Sequence, residues 1–432
     1  MKKLGISSGV VLMLGALASQ AHASGFALNE QSISSMGMAF AGRASSASDA
    51  SIVYGNPAGM SLLNREQVTL GAAGIFARSD IKDANAPRRL GNTTIGAAAG
   101  SNDGDMVPTV GVPLGYYVKP INDQWTFGLG MYVPFGLLTD YESNFQGRYF
   151  GDYSEVEVIT LQPTVSFRIN DQLSVGFGPT INRIKGKLES AIFTGTANDG
   201  RAKIEGDDTA FGFNAGILYE VTPQTKLGLT YHSKVDYTLD GDTRYSGIPG
   251  AGKYDASLDL KTPESVDFGI SHALTDQWTL HASATWTRWS RLESILVENK
   301  GTPAAAPALS RIEEVQEWKD TWTYSVGAEY QLNPQWVLRA GVGYDESPAN
   351  NQHRSPRVPI NDRTNFSVGF GWSPTQDLTV DFAYLYLREK DADVNQSRVV
   401  GQGPGGLPVS QSYSAKYENS AHTVGAQLTY RF

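Results

Sequence analysis

The sequence predicts an all-β fold: a closed, 14-stranded antiparallel transmembrane β-barrel with an N-terminal hatch inside its lumen. Three observations support this prediction. Apolar and polar residues alternate along many short segments, the connections between them alternate between short and long, and an export signal precedes them. Such alternation places one face of a strand in lipid and the other in a polar lumen. No apolar stretch after residue 23 approaches the length of a membrane-spanning helix, which excludes a helical span.

The N-terminal segment has the features of a secretory signal peptide, which we assign to residues 1–23. Two lysines follow the first Met, an apolar run covers residues 6–18, and Ala21-His22-Ala23 fits the small-x-small cleavage pattern. The apolar run is too short for a membrane span. A lone N-terminal anchor is the alternative. Cleavage after this pattern would start the mature chain at Ser24.

Charge and composition limit the partners of the mature chain. Without Lys2 and Lys3 the net charge changes from −9 to −11, which argues against nucleic acid as a partner. The chain has no cysteine, although the exported compartment permits disulfides, so stability must come from the sheet. We expect no cofactor and no metal ion.

The last predicted strand shows the alternation most clearly. One face is apolar and ends in aromatic residues, and the other is polar or small. The first face has Val424, Ala426, Leu428, Tyr430 and Phe432, and the second has Gly425, Gln427, Thr429 and Arg431. The same period recurs at 278–286, 336–344, 366–372 and 378–386. A soluble β-sandwich also alternates, but aromatic residues at both ends of the apolar stripe favour a barrel, where they form interface girdles.

The connections give the strand count. Short turns occur at 119–123, 170–171, 222–224, 275–277, 333–335 and 374–376. Long loops are predicted at about 79–106, 134–154, 191–208, 238–254, 297–316, 346–362 and 389–415. Six turns and seven loops connect 14 strands within residues 65–432, an even number typical of bacterial outer-membrane barrels. The sheet must close, because hydrocarbon tolerates no unpaired edge. The C-terminal Phe432 fits the end that barrel-assembly machinery recognises.

Two segments interrupt the strand pattern. Residues 24–64 are rich in small side chains and suit a hatch in the lumen, because 14 strands enclose more room than their own side chains fill. A disordered periplasmic arm is the alternative. Val133-Pro134-Phe135-Gly136 ends the third predicted strand. Proline cannot donate to the ladder, so it marks either a bend that opens the wall or simply the start of a loop.

Signals of enzymatic activity are few, and we predict no enzyme. Gly401–Gly406 matches G-x-G-x-x-G, but it contains Pro404 and lacks a strand-to-helix context. His281 faces the lumen by parity, where it could serve a barrel hydrolase with a nearby serine or simply line a polar lumen. The acidic residues at 102–105 could hold calcium weakly or lie in a solvated loop.

An ordered set of motifs resembles the FadL family, the outer-membrane transporters of long-chain fatty acids and related hydrophobic compounds. The set comprises Gly25-Phe26-Ala27-Leu28-Asn29-Glu30-Gln31-Ser32, Asn56-Pro57-Ala58-Gly59-Met60, Gly147-Arg148-Tyr149, Trp286-Thr287-Arg288-Trp289-Ser290, Trp318-Lys319-Asp320 and Asp345-Glu346-Ser347-Pro348. It extends over essentially the whole mature chain. The resemblance implies a monomeric barrel in the Gram-negative outer membrane, surrounded by lipid and lipopolysaccharide, that takes up its ligand passively.

The resemblance also implies a gate and a ligand pocket. In the family, an Asn-Pro-Ala segment of the hatch lies beside a kink in the third strand, where ligand leaves sideways into the membrane. The mature N-terminus reaches the pocket. The matching gate positions are Asn56, Pro57 and Ala58 with Pro134, Phe135 and Gly136, and the matching pocket positions are Ser24, Gly25 and Phe26.

A fatty acid also needs a cation for its carboxylate, because an unpaired buried charge is costly. Lys319 resembles a carboxylate-holding position and faces inward by parity, although Asp320 could neutralise it. Arg339 also faces inward. Lys185 resembles a second basic position, but it faces outward unless a bulge at Pro179 shifts the register.

Other ligands and other classes of protein remain as alternatives. Family relatives that take up aromatic or aliphatic hydrocarbons by the same route are the nearest alternative. A general porin would need an open lumen without the hatch, and a barrel hydrolase would need a reactive serine beside His281. Transport driven by TonB would need 22 strands and a far larger plug. The loops at 191–208 and 238–254 are short and polar, so initial capture of the ligand is expected to differ from that of well-studied relatives.

Overall fold

A closed antiparallel barrel encloses a small hatch in this structure, a computed structural model that describes residues 25–196 and 198–432. The first strand pairs with the last, with Gln67 opposite Arg431 and Ile75 opposite Thr423, so the sheet has no free edge in the wall. The predicted signal peptide and Ser24 lie outside the described residues. Within those residues, the structure has no helix that is long and apolar enough to cross a membrane.

The barrel has 14 strands, several of them interrupted at their outer ends. The uninterrupted strands are β1 Gln67–Asn85, β2 Val110–Pro120, β3 Trp125–Asp140, β4 Tyr153–Arg168, β5 Leu173–Ile192, β6 Gly200–Thr222, β11 Trp336–Asp345, β12 Arg363–Trp372 and β14 Pro408–Arg431. The interrupted strands are β7 Thr225–His232 and Val235–Ser246, β8 Gly252–Thr262 and Ser265–Ala273, β9 Trp278–Thr287 and Ser294–Asn299, β10 Arg311–Val315 and Thr321–Asn333, and β13 Leu378–Glu389 and Ala392–Gln402.

The remaining elements are short. The hatch contains α1 Ile33–Met36, α2 Ile52–Gly55 and a 3-10 helix, Pro57–Leu62. An outer hairpin of Pro87–Leu90 and Thr93–Ala97 lies between β1 and β2, and further 3-10 turns are Trp289–Arg291, Pro307–Leu309 and Pro404–Gly406. The Gly-rich segment at 401–406 therefore forms the outer turn between β13 and β14.

The predicted alternation of faces is confirmed along the regular strands. In β14, Leu428 and Tyr430 are 42% and 41% exposed on the outer surface, whereas Gln427 and Thr429 are buried in the lumen. Trp322 and Tyr324 stack on the outer surface of β10, and Trp336 and Trp372 stack on β11 and β12. Aromatic rings at these levels match the girdles that anchor a barrel at the membrane interfaces.

The outer ends of the strands extend farther than the sequence indicates. β7 continues to Ser246 and β14 begins at Pro408, so much of the predicted loops at 191–208, 238–254 and 389–415 is strand. Above the membrane neither face of a strand has to be apolar. The two-residue hydrophobic period therefore fades there, while backbone pairing continues.

The hatch packs inside the lumen on both apolar and polar contacts. Leu28, Ile33 and Met60 are buried in one cluster with wall residues of β1 and β2. The backbone N–H of Ile33 donates to Oε1 of Gln427 at 3.0 Å, and Nε2 of Gln427 donates to Asp49 at 2.8 Å. Residues 25–63 therefore pack in the lumen and do not form the periplasmic arm considered as an alternative.

Ion pairs between hatch and wall, and within the wall, are buried in the lumen. Arg43 of the hatch pairs with Asp267 of β8 at 2.6 Å. Arg339 of β11 pairs with Glu329 at 2.7 Å and with Asp381 at 2.6 Å, and its side chain packs against the hatch at Gly37. Losing one partner of such a pair leaves an uncompensated buried charge, which is strongly destabilising.

Replacing Arg339 by Met should therefore destabilise the barrel, because Glu329 and Asp381 would remain buried without their cation. We expect a loss of about 3–5 kcal/mol in the free energy of unfolding, measured by urea titration in detergent. Arg311→Met is the control, since Arg311 is exposed and its pair with Glu313 lies at the surface. Equal effects of the two substitutions would contradict the importance of the buried pairs.

Candidate functional site

A kink interrupts β3 at Pro134. Pairing between β3 and β4 is regular up to Tyr132, shifts register across Val133 and Pro134, and resumes from Phe135 to Asp140. Proline has no N–H to donate, so the strand bulges where a ladder bond would be missing. The motif permits either a bend in the wall or the start of a loop, and the structure has the bend. The predicted end of the third strand at 133 is wrong.

The kink separates β3 from β2. The two strands pair up to Gly115 opposite Met131, and beyond that point β2 pairs with β1 and β3 pairs with β4. The next bond between the two sides, within the described residues, runs from the N–H of Asp140 to the carbonyl of Met106 at 2.7 Å. We call this break in the ladder the β2–β3 gap. It is bounded by regular pairing on one side and by a single bond on the other.

The start of the hatch occupies the inner side of this gap. The N–H of Leu28 donates to the carbonyl of Pro134 at 2.9 Å, and the N–H of Gly136 donates to the carbonyl of Phe26 at 2.8 Å. Nε2 of Gln31 donates to the carbonyl of Val133 at 2.6 Å. These bonds pair backbone groups that β2 leaves free, and burying such groups without partners would be costly.

The Asn-Pro-Ala segment lies elsewhere. Nδ2 of Asn56 donates to the carbonyl of Ile217 on β6 at 3.0 Å, and the carbonyl of Ala58 accepts from Ser166 on β4 at 3.0 Å. Asn56 also caps the 3-10 helix that begins at Pro57. A Cβ at Gly216 would lie 2.0 Å from Oδ1 of Asn56, so only glycine permits this approach. The hatch residues that bond to the kink are Phe26, Leu28 and Gln31 instead.

An apolar cavity lies on the outer side of the kink. Its wall comes mainly from β4 to β9. The apolar lining comprises Phe26, Leu137, Val156, Ile184, Leu188, Ile204, Leu239, Leu258, Leu260, Leu292, Ile295, Val297, Trp318 and Val358. An apolar lining of this kind suits a hydrophobic ligand.

Four aromatic rings close the inner end of this cavity. Phe26 contacts Trp289 at 5.0 Å and Phe135 at 5.7 Å between ring centroids, and Trp289 contacts Trp318 at 5.1 Å. We call these residues the aromatic cluster. Gly25 lies against it with a φ of +64°, and a Cβ there would come within 2.6 Å of both tryptophan rings. The cluster joins the cavity to the kink, because Phe26 lines the cavity and its ring contacts Phe135 at the kink.

A polar chamber lies on the other side of the cluster. It is bounded by Ala27, Leu28, Pro134 and Phe135 on one side and by hydroxyl, amide and imidazole groups on the other. The polar groups belong to Tyr132, Thr160, Thr180, Asn182, Asn214, His232, Thr285 and Thr323. The lumen therefore changes from apolar to polar across the hatch segment that contacts the kink.

Lys319 does not face the lumen as parity predicted. Residues 316–320 interrupt β10, and Glu317 has a φ of +44°. The N–H groups of Gln316 and Glu317 both donate to the carbonyl of Glu293, as in a bulge. This irregularity turns Trp318 into the lumen and leaves Lys319 exposed.

Lys185 points out of the barrel, whereas Arg339 points into the lumen. The pairing of β5 with β6 is continuous from Leu173 to Ile192, so no bulge forms at Pro179 and Lys185 points outward into solvent. Arg339 faces inward as predicted, but two carboxylates and the hatch surround it. A ligand carboxylate would have to displace one of those partners to bind Arg339.

The cavity lining includes two cations that sequence reasoning missed, Arg357 and Lys187, and Arg357 is the more deeply buried of the two. Its Nε lies 3.0 Å from Glu314, and its Nη1 donates to Ser154 at 3.0 Å. Arg357 lies in the loop between β11 and β12, where the alternation of a strand cannot predict the direction of a side chain. Its place between Pro356 and Pro359, which restrict the loop backbone, was the available signal.

His281 takes part in a hydrogen-bond chain that the hatch covers. Its Nδ1 lies 2.8 Å from Oγ of Ser271, its Nε2 lies 3.4 Å from Glu329, and Ser271 is 2.7 Å from Ser45 of the hatch. A Cβ at Gly42 would lie 2.5 Å from His281. Serine, histidine and glutamate thus meet, but hatch residues occupy the space in which a substrate of a hydrolase would have to bind.

A closed barrel, a hatch-filled lumen and an apolar cavity that ends at a break in the wall together define an outer-membrane transport barrel. Residues 14–432 match the family described as outer membrane protein transport protein (OMPP1/FadL/TodX), and the chain belongs to this family. The predicted family, fold class and outer-membrane location are confirmed, and the chain is an outer-membrane transporter of hydrophobic compounds.

Individual relatives agree over nearly the full length. Outer membrane protein P1 of Haemophilus influenzae is 30% identical, with 100% of both chains covered. The long-chain fatty acid transport protein of Escherichia coli O6:H1 is 27% identical, covering 100% of this chain and 99% of the relative. The crystal structure of a Pseudomonas aeruginosa FadL homologue superposes with a TM-score of 0.82 at 26% identity, covering 94% of this chain and 99% of the other.

The apolar cavity should lose its ligand when a charge enters its wall. Ile184→Asp places a carboxylate among aliphatic side chains, so binding of a hydrophobic fluorescent probe should weaken at least about tenfold. Ile184→Val keeps the surface apolar and should bind nearly as well. Folding of both variants is checked by heat-modifiable mobility in gels. Equal probe affinity for a folded Asp variant and the wild type would show that the probe binds elsewhere.

Proposed function

We propose that this protein takes up long-chain fatty acids passively and releases them sideways into the outer membrane through the β2–β3 gap. The observation that carries the proposal is the position of the aromatic cluster. It forms the inner end of the apolar cavity, and one of its members, Phe26, belongs to the hatch segment bonded to the kink. A ligand that fills the cavity therefore contacts the residues that occupy the gap.

The cavity offers the binding energy that an alkyl chain requires. Each buried methylene contributes about 0.8 kcal/mol, so a tail enclosed by the leucine, isoleucine and valine side chains of β4 to β9 binds without any polar contact. The same wall would also hold a neutral hydrocarbon. What separates the two ligand classes is the charge at the rim, where Arg357 lies.

The polar chamber favours lateral exit over passage to the periplasm. A tail that moved past the aromatic cluster along the lumen would meet threonine, asparagine and histidine side chains, and would lose its apolar surroundings. A tail that moved through the β2–β3 gap would enter lipid, where its environment stays apolar. The difference in solvation thus directs the ligand sideways.

Gating follows from the double role of Phe26. Its ring lines the cavity, while its carbonyl accepts the N–H of Gly136 at the kink. A ligand can shift the hatch only if it binds the open and closed states unequally. A tail that binds fully in the cavity needs the space that the ring of Phe26 occupies. It gains this space only if the backbone bonds of Phe26 and Leu28 to the kink rearrange. Binding and opening are therefore coupled.

The proposal extends to the membrane partners. We infer a monomer held in lipid and lipopolysaccharide, with Phe432 as the signal for barrel assembly. The ring of Phe432 is 63% exposed at the end of β14, and its N–H donates to the carbonyl of Glu66 at 2.8 Å. An exposed terminal ring beside the β1–β14 seam is accessible to assembly machinery before the barrel closes.

Locking the hatch to the kink should stop transport. Ala27 and Phe135 are directly opposite each other and do not exchange backbone bonds, the pairing in which side chains lie closest. We expect the double variant Ala27→Cys, Phe135→Cys to form a disulfide in the exported protein, since the chain has no other cysteine. Uptake of labelled oleate should fall to background and recover on reduction.

The matched controls are the two single cysteine variants, which cannot form the bridge and should transport whether or not reductant is present. Transport by the oxidised double variant at the rate of its reduced form would show that the gap does not need to open.

Substrate class is tested by uptake in cells that lack their own transporter and express this chain. We expect uptake of labelled oleate, and we expect Lys319→Ala to leave it within about twofold, because Lys319 points away from the lumen. Uptake of toluene without oleate would assign the protein to the hydrocarbon transporters. Entry of small hydrophilic solutes would point to a general porin.

A further inference from the structure

A second cavity, which we call the outer vestibule, lies next to the apolar cavity on its outer side. The two cavities adjoin, because they share the lining residues Leu188, Ile204, Ile295, Val297 and Arg357. The vestibule adds Phe150, Glu313, Glu314 and Arg398 to the lining. Here the apolar wall gives way to charged groups while the space remains enclosed by the outer ends of the strands.

Arg398 faces into this vestibule from the outer segment of β13. Val394 on the same strand is buried, and Gln411, which is paired directly opposite Arg398 on β14, is buried as well. These buried neighbours show which face of the sheet points inward at this level, and Arg398 lies on that face. The guanidinium lies over the ring of Phe150 at 5.2 Å, which holds it in place without neutralising it.

The other charges of the vestibule already have partners. Arg357 pairs with Glu314 at 3.0 Å, and Glu313 pairs with Arg311 at 3.0 Å. Arg398 has no carboxylate within ion-pair distance in the described part of the chain. It is thus an inward-facing cation that keeps accessible surface in an enclosed space and forms no ion pair with a described residue.

The surroundings of Arg398 make an anion favourable there. Burial among protein atoms lowers the pKa of Arg398 to about 10, because desolvation disfavours its charged form, and Glu314 opposes this effect only in part. The group stays protonated at neutral pH. An anionic ligand would supply the missing counter-charge through a charge-assisted hydrogen bond, which is roughly twice as strong as a neutral one.

We propose that Arg398, beside Arg357, binds the carboxylate of the fatty acid in the outer vestibule while the alkyl tail extends into the apolar cavity. This inference rests on the proposed uptake of fatty acids and adds the residue that selects carboxylates over neutral hydrocarbons. The order along the path is then headgroup at the outer rim, tail along the aliphatic wall, and tail end against the aromatic cluster.

The test compares oleate with oleyl alcohol, which has the same tail without the charge, as ligands of the purified full-length barrel in nanodiscs. Arg398→Gln should weaken oleate binding at least about fivefold and leave oleyl alcohol unchanged, because only the carboxylate uses the guanidinium. Arg398→Lys keeps the charge and should retain most of the oleate affinity. Arg388→Gln, which removes an outward-facing arginine from the same strand, is the matched control.

Two outcomes overturn this inference alone. Wild-type affinity of Arg398→Gln for oleate would show that the carboxylate binds elsewhere. An equal loss for oleate and oleyl alcohol would show that Arg398 only shapes the vestibule. A wild-type barrel that binds toluene but not oleate would overturn the proposed substrate class, and with it this inference, so the two failures are distinguishable.

Discussion

The constraint on which this structure depends is that hydrocarbon offers no hydrogen-bond partner to the backbone. Closure of β1 on β14 meets the constraint around the barrel, strand by strand. It fails at one described place in the wall, where Pro134 bends β3 away from β2. There the hatch supplies the missing partners, through Phe26, Leu28 and Gln31. The gap in the wall therefore depends on the hatch segment, which bonds to the backbone groups that the gap leaves free.

The regular part of this solution could be predicted from the sequence. A period of two residues and aromatic ends determine which side of a strand meets lipid, so Arg339 and His281 were placed correctly in the lumen. The alternation of short and long connections gave the strand count. Both signals come from residues that are close in the sequence, and neither depends on the order of the strands in the sheet. They can therefore be recognised without a structure.

The irregular positions could not be predicted in the same way. Parity holds only while a strand stays regular, and the bulge beside Lys319 depends on Glu293, which lies on a neighbouring strand. A bulge at Pro179 was conceivable from the sequence, but its absence depends on the partner register of β6. Arg357 lies in a loop, and Arg398 lies in a strand extension above the membrane. In neither place does the hydrophobic period indicate whether a side chain points inward or outward.

The distribution of buried charge supports the proposal that opening is confined to the start of the hatch. Arg43 is held by Asp267, Asp49 by Gln427, and Asn56 by β6, so moving the whole hatch would break several buried polar contacts at once. The segment at Phe26 and Leu28 is held to the kink by two backbone bonds and by ring contacts. A hydrophobic ligand can replace the ring contacts with its own tail, but it cannot replace an ion pair. The weakest attachment of the hatch therefore lies where the apolar cavity meets the gap, which supports the proposal that the barrel opens there for its ligand without opening to water.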